Sequence, residues 1–146
     1  MRLQLALNVP NLEAAIGFYE QLFSTPVAKV EPGYANFEVA EPPLKLVLFE
    51  SSSEDRLNHL GVEVFSEQEV KQAGHAWLAE GLDVEWQQET QCCYAEQNKA
   101  VTYSPDGTMW EVYQKLSDSD VLSASEPQAE LAPTATSESS EPQRCC

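Results

Sequence analysis

Two cysteines, Cys92 and Cys93, stand side by side in the stretch ETQCCYAEQ. A disulfide between neighbours closes a strained ring and constrains almost no chain, so it would add little stability. A single buried cysteine behaves as a small hydrophobe, which is the ordinary interpretation of either residue alone. Thiolates are also soft ligands, and two in a row favour the binding of a soft atom. A second pair, Cys145 and Cys146, repeats the pattern.

Three further residues carry metal-ligating side chains on short alternating segments. Gln4 lies in LQLALNV, His59 in LNHLGVEV and Glu111 in TMWEVYQ. Successive side chains of a strand point to opposite faces of a sheet. The polar candidates therefore lie on the face opposite to a set of apolar residues: Leu3, Leu5, Leu7 and Val9 in the first segment, Leu60, Val62 and Val64 in the second, and Trp110 and Val112 in the third.

The elements that must position these residues occur twice. LQLALNVPNLEAAIGFYEQLF predicts a strand followed by an amphipathic helix, and LNHLGVEVFSEQEVKQAGHAWLAEGL predicts the same plan again. The apolar stripes of the two predicted helices are Leu12, Ala15, Ile16, Tyr19, Leu22 and Phe23 in the first, and Val70, Ala73, Trp77 and Leu78 in the second. Ser66 and Glu69 predict a capping box at the second helix, and Gly81 predicts its end.

Each predicted helix is followed by signals for two or three strands. YANFEVAEPPLKLVLFE reads as a hairpin about AEPP, and AVTYSPDGTMWEVYQKL as a hairpin about SPDG. The sequence thus predicts an α+β fold of two βαβββ modules, at about 1–53 and 54–116. Together they would form a half-open, mostly antiparallel barrel with its helices outside.

The repeat gives Gln4 and His59 equivalent positions, so a pseudo-twofold axis would bring them together. Glu111 lies on the closing strand of the second module, and its expected counterpart in the first is Lys45, which cannot ligate a metal while protonated. One cleft would then collect a carboxamide, an imidazole and a carboxylate. Three protein ligands with open positions are typical of a metal that binds substrate or dioxygen, with Gln4 replacing one histidine of the usual non-haem iron triad.

Composition narrows the partners. The chain has 146 residues and a formal net charge of −16, with 24 acidic side chains against eight basic ones. This balance argues against nucleic acid, whose binding depends on Lys and Arg. No apolar run approaches a membrane span, and four cysteines in two adjacent pairs do not form a secreted disulfide framework. We therefore expect neither nucleic-acid nor membrane partners, and a location in the reducing cytoplasm.

The segment 117–146 has a different composition from the rest of the chain. It is acidic, rich in Ser, Glu, Pro and Ala, and shows neither helical nor strand periodicity. Such a segment cannot bury enough apolar surface to offset its ordering entropy. We expect a disordered tail that ends in Cys145–Cys146, after a single domain at 1–116. The tail cysteines either have no role or act as accessory thiols that capture thiophilic species.

Five segments together resemble one particular family. LQLALNV, PGYANFEVAEPPLKLVL, LNHLGVEV, QCCYA and SPDGTMWEVY are similar to the carbon–arsenic lyases, also known as cadmium-induced proteins. These belong to the vicinal oxygen chelate superfamily, which includes the glyoxalases, bleomycin resistance proteins and dioxygenases. The resemblance covers about residues 2–115.

The resemblance implies specific roles for the candidate residues. The metal ligands of the family fall on Gln4, His59 and Glu111, and its substrate thiols on Cys92 and Cys93. The implied activity is Fe(II)-dependent, dioxygen-using cleavage of the carbon–arsenic bond of trivalent organoarsenicals such as methylarsenite. The implied products are arsenite and an aldehyde, and the protein is expected as a monomer or homodimer. Two adjacent cysteines on one strand would point apart, so we expect ETQCCYAEQ to form a loop.

Two other functions stay open at this point. One is sequestration of Cd(II) or arsenite by the thiols without turnover. The other is a different activity of the superfamily, such as that of a glyoxalase-type isomerase or a ring-cleaving dioxygenase, neither of which needs Cys92 and Cys93.

Overall fold

The structure is a computed structural model that describes residues 1–120 and 122. Its elements, in chain order, are β1 (Arg2–Val9), α1 (Leu12–Phe23), β2 (Lys29–Glu31), β3 (Tyr34–Val39), β4 (Leu44–Glu50), β5 (Leu57–Val64), α2 (Glu67–Ala79), β6 (Glu85–Cys92), β7 (Ala95–Tyr103) and β8 (Met109–Asp118). Each half therefore runs strand, helix, three strands. The predicted pair of βαβββ modules is confirmed.

The strands form one eight-stranded sheet in the order β2-β3-β4-β1-β5-β8-β7-β6. The two modules meet where β1 pairs antiparallel with β5. Each of these strands also pairs in parallel with the last strand of its own module, β4 and β8 respectively, and the remaining pairs are antiparallel. The sheet is curled into a half-barrel with both helices outside, as predicted.

Helix α1 covers the outer face of the first module. Asn11 caps it, since its side chain accepts a hydrogen bond of 2.8 Å from the Ala14 N–H. Most of the predicted stripe packs against Phe37 and Leu46 of the sheet. Leu22 is an exception to the prediction, because it is 56% exposed.

Helix α2 covers the second module in the same way. Its capping box is confirmed: Ser66 Oγ donates to Glu69 Oε2 (2.8 Å) and accepts from the Glu69 N–H (3.3 Å). The helix buries Val70 against β7 and β8, and Gly81 follows its end with a φ of 86°. The assignment of Leu78 to the buried stripe was wrong, because that side chain is 45% exposed.

The sheet continues beyond the predicted domain end at residue 116. Strand β8 runs to Asp118, and the Ser119 N–H donates to the Tyr94 carbonyl at 2.9 Å. The Leu122 carbonyl accepts from the Cys93 N–H. The first residues assigned to the tail therefore contact the cysteine segment. The remainder of the tail, including Cys145 and Cys146, lies outside the described residues. Within the described chain, neither helix has the length and apolar character needed to cross a membrane.

Candidate metal and cysteine site

Gln4, His59 and Glu111 meet on the inner face of the half-barrel. Gln4 Nε2 donates to His59 Nε2 at 2.9 Å and to Glu111 Oε1 at 2.8 Å. His59 Nε2 lies 3.4 Å from Glu111 Oε1. All three side chains are buried. The structure thus brings together the three residues that strand alternation placed on one face.

Small residues in the central ladder make room for this convergence. Gln4 lies opposite Gly61, and His59 lies opposite Ala6. Gly61 also pairs with Glu111 on its other side. A Cβ atom at Gly61 would lie 2.9 Å from Glu111 Cγ and 3.5 Å from Gln4 Nε2. The glycine is therefore required by the packing of the two candidate ligands that flank it.

The expected equivalence between Lys45 and Glu111 was wrong. Glu111 pairs with Gly61, two positions beyond the histidine of β5. In the first module the residue two positions beyond Gln4 is Ala6, and its partner on β4 is Val47. Lys45 pairs instead with Gln4 itself. The register of the parallel ladders therefore makes Val47 the counterpart of Glu111.

A fully buried lysine holds the other oxygen of Glu111. Lys99 Nζ donates to Glu111 Oε2 at 3.2 Å, and its side chain is 0% exposed. Burial alone would raise the pKa of Glu111, but the charge of Lys99 outweighs it and lowers that pKa to about 2. The Glu111 carboxylate is therefore ionised at neutral pH, with Oε1 turned toward Gln4 and His59.

The orientation of His59 is fixed by two asparagines. His59 Nδ1 lies 2.7 Å from Asn58 Oδ1, and Asn58 Nδ2 donates to Asn8 Oδ1 at 2.9 Å. Asn8 Nδ2 in turn donates to the Asp55 carbonyl at 3.0 Å. Since Asn58 donates through its amide nitrogen, its oxygen accepts from His59 Nδ1–H, which leaves Nε2 with a lone pair. This is the tautomer that a metal ligand needs.

A bulge explains how Asn58 reaches its sequence neighbour. Adjacent strand residues normally point to opposite faces. Here the register shifts: Ala6 pairs with His59, but Leu7 pairs with Leu57. Asn58 is therefore the extra residue of a β-bulge, a feature that re-aims side chains beside functional sites.

The donor set fits a divalent metal. The amide hydrogens of Gln4 point at two lone pairs, those of His59 Nε2 and Glu111 Oε1, as a cation would. Turning the Gln4 carboxamide over would add Oε1 as a third ligand of the kind that Fe(II) accepts. No three His, Cys, Asp or Glu side chains cluster as a metal site within residues 1–120 and 122, so the set depends on the carboxamide.

The cysteine segment is a tight hairpin, and the expectation of a loop over ETQCCYAEQ was wrong. Strand β6 ends at Cys92 and β7 begins at Ala95, so only Cys93 and Tyr94 form the turn. Both have positive φ, 55° and 58°, as in the type I′ turns of two-residue hairpins. The turn breaks the strand alternation, and the Cys92 and Cys93 Sγ atoms lie 2.9 Å apart. That separation is longer than the ~2.05 Å of a disulfide bond.

Contacts from distant elements hold this turn. The Tyr94 carbonyl accepts from Lys29 Nζ (3.0 Å) as well as from Ser119, and the Tyr94 hydroxyl donates to the Pro32 carbonyl (3.1 Å). These contacts stabilise a positive φ that residues other than glycine rarely adopt. Cys92 is disulfide-bonded in the structure, so a dithiol at this turn is a property of the reduced protein.

One cavity joins the two groups. Its lining includes Gln4 and Glu111 as well as Cys93 and Ala95. A chain of ring contacts runs from the cysteine turn to the candidate metal site: Tyr94 to Tyr34 (5.3 Å between centroids), Tyr34 to Phe49 (5.6 Å) and Phe49 to His59 (6.3 Å). The cavity is therefore shared by two of the three candidate metal ligands and by one of the two cysteines.

Sequence reasoning missed the residues that support the ligands. Lys99 and Asn58 carry no motif, and the bulge that turns Asn58 inward has no sequence signal. Gly61 did carry one, since a glycine inside a strand often marks a close approach.

Comparison with known proteins places the fold. The profile of the Glyoxalase/Bleomycin resistance protein/Dioxygenase superfamily matches residues 3–112. The Mn(II)-bound glyoxalase from Novosphingobium aromaticivorans superimposes with a TM-score of 0.60 at 16% identity, over 86% of this chain and 41% of that one.

Curated relatives are more similar in sequence. The "Trivalent organoarsenical cleaving enzyme" of Thermomonospora curvata is 51% identical over 134 residues, 90% of this chain and 89% of that protein. The "Cadmium-induced protein CadI" of Mycobacterium tuberculosis is 51% identical over 126 residues, 83% of this chain and 80% of that protein. With its fold, its profile match and these relatives in agreement, the chain belongs to the glyoxalase/bleomycin resistance protein/dioxygenase superfamily.

Proposed function

We propose that the protein cleaves the carbon–arsenic bond of trivalent organoarsenicals such as methylarsenite, using Fe(II) and dioxygen. The observation that carries the proposal is one cavity that is lined by Gln4 and Glu111 and also by Cys93. Such a cavity can hold a thiol-bound arsenical in front of a metal. The name of the Thermomonospora curvata relative supports the same activity.

Capture of the substrate uses the reduced cysteines. Methylarsenite carries one methyl group and two hydroxyls on a soft arsenic atom. The Cys92 and Cys93 thiols each form an As–S bond and release one water, which leaves the methyl group as the remaining substituent. The 2.9 Å between the sulfur atoms lets one arsenic atom bridge both. Bound substrate then reacts as part of the same molecule, which removes the cost of a bimolecular encounter.

The metal end holds its ligands in the required protonation state. Gln4, His59 and Glu111 would bind Fe(II), which when bound supplies the activation of dioxygen. Lys99 keeps Glu111 ionised, and Asn58 keeps the proton of His59 on Nδ1. One methylarsenite and one dioxygen give one arsenite and one formaldehyde, so atoms and electrons balance without another reductant.

Product analysis tests the proposal. Reduced protein is loaded with Fe(II) without oxygen, mixed with methylarsenite and exposed to air. We expect arsenite and formaldehyde in equal amounts, over several turnovers, with one dioxygen consumed for each. Cys93→Ser and Glu111→Gln serve as matched variants, since the first removes a substrate thiol and the second removes a metal-binding carboxylate. Absence of formaldehyde from the metal-loaded parent protein would contradict the proposal.

Sequestration of Cd(II) or arsenite is the second candidate, favoured by the name of the Mycobacterium tuberculosis relative. It needs the cysteines but not the metal ligands. Under this function the protein would bind about one equivalent and release no product, and Glu111→Gln would bind as well as the parent. Both functions require reduced thiols, so we propose that the protein acts in the cytoplasm. Its partner in either case is a small molecule, and we expect the protein to be a monomer or homodimer.

A further inference from the structure

Gln97 lies beside the cysteine turn on the inner face of the sheet. It is two residues beyond Ala95, so both side chains point into the cavity. Its amide Nε2 donates to the Cys92 carbonyl at 3.1 Å. The carboxamide is therefore anchored to the backbone of one of the two cysteines.

The other end of this carboxamide has no protein partner. Gln97 Oε1 is buried and accepts no hydrogen bond from the described residues, while the whole residue is only 5% exposed. Native proteins pair nearly all buried polar atoms, because an unpaired buried acceptor destabilises the folded state. Because Nε2 and Oε1 belong to one planar group, Oε1 lies within roughly 5 Å of the Cys92 carbonyl oxygen. An acceptor at this position calls for a ligand with an O–H or N–H group.

The two arsenicals of the proposed reaction differ in this respect. Methylarsenite bound by two thiolates keeps only its methyl group and has no donor. Inorganic arsenite bound by the same thiolates keeps one hydroxyl. A bound methyl group would leave Gln97 Oε1 unpaired, whereas the arsenite hydroxyl could donate to it.

We propose that Gln97 Oε1 is the acceptor for the As–OH group of inorganic arsenite held by reduced Cys92 and Cys93. This inference rests on the proposed function, since it assumes the same dithiol. It makes Gln97 a selectivity residue that favours the inorganic product over the organic substrate. The cavity then retains arsenite after cleavage. Arsenite that accumulates in solution therefore inhibits turnover.

Binding measurements without metal or oxygen test the inference. Full-length protein that carries Cys145→Ser and Cys146→Ser, kept reduced with a phosphine, has one adjacent cysteine pair. Its affinities for arsenite and for methylarsenite are measured by calorimetry, before and after Gln97→Met. We expect Gln97→Met to weaken arsenite binding roughly 3- to 10-fold, the effect of one hydrogen bond. Methylarsenite binding should stay within about twofold of its parent value.

Gln114→Met is the matched control. Gln114 also has a buried Oε1 without a partner in the described chain, but it is not among the residues that line the cavity. We expect no change in either affinity. If Gln97→Met leaves the ratio of the two affinities unchanged, the inference is wrong and dithiol capture stands. If the reduced parent binds neither arsenical, the inference and the proposed function fall together.

Discussion

The two modules share one backbone plan but contribute unequally to the cavity. At equivalent positions the first module has Gln4 and Val47, whereas the second has His59 and Glu111. The second module also supplies the cysteine turn. The first supplies a neutral carboxamide and two aromatic rings, Tyr34 and Phe49. The two modules therefore repeat the βαβββ backbone but not the metal-ligating side chains.

The difference follows from what each strand must accommodate. In the second module Gly61 makes room for Glu111, and Lys99 compensates the buried carboxylate. The first module has apolar Val47 at the corresponding place, which needs neither device. Removing the Glu111 carboxylate should therefore reduce metal binding more than any single substitution in the first module.

Glu111→Gln should have the largest effect. It removes the one carboxylate among the three proposed ligands and leaves Lys99 as an unpaired buried charge. We expect Fe(II) or Mn(II) binding to disappear in calorimetry. The free energy of unfolding should fall by about 3–5 kcal/mol, the usual cost of breaking a buried ion pair.

Glu111→Gln combined with Lys99→Met separates the loss of metal binding from the loss of stability. The double variant removes both charges, so stability should largely recover in denaturant titrations while metal binding stays absent. Recovery of metal binding would mean that Glu111 is not a ligand.

Gly61→Ala tests the space between the modules without changing any charge. The added Cβ would lie 2.9 Å from Glu111 Cγ, and overpacking of this kind costs about 1–3 kcal/mol. If that strain falls on the ligand geometry, metal affinity drops roughly 10- to 100-fold. Gly17→Ala is the control, since a Cβ there meets nothing within 4 Å. Equal metal affinities in the two variants would contradict the role given to Gly61.

Asn58→Ala should have a smaller effect. It removes the acceptor for His59 Nδ1–H, and loss of such a partner weakens metal binding about 10-fold or somewhat more. The imidazole nitrogen shifts in NMR should show a mixed tautomer for His59, which a structural role alone would not produce. Asn98→Ala removes an asparagine whose side chain accepts from the Glu89 N–H (2.9 Å), and should leave both measurements unchanged.

The fold and the convergence of the three candidate ligands could be predicted because they depend on periodicity. Alternation placed Gln4, His59 and Glu111 on one face, and the helical stripes identified both helices. Features that depend on register could not be predicted: the equivalence of Glu111 with Val47, the bulge at Asn58, and the hairpin at Cys93 and Tyr94. A single shifted residue changes each of these without changing the apolar pattern.

Parallel titrations of the Cys92→Ser/Cys93→Ser variant with metal and with methylarsenite test most directly whether the cavity contains two separate ligand sets. The Cys145→Ser and Cys146→Ser substitutions are included so that no other thiols bind. We predict a metal affinity within about twofold of the parent value, because Gln4, His59 and Glu111 are intact, and complete loss of methylarsenite binding. Loss of metal binding together with arsenical binding would contradict the account, because the cysteines would then be metal ligands in a single mixed site.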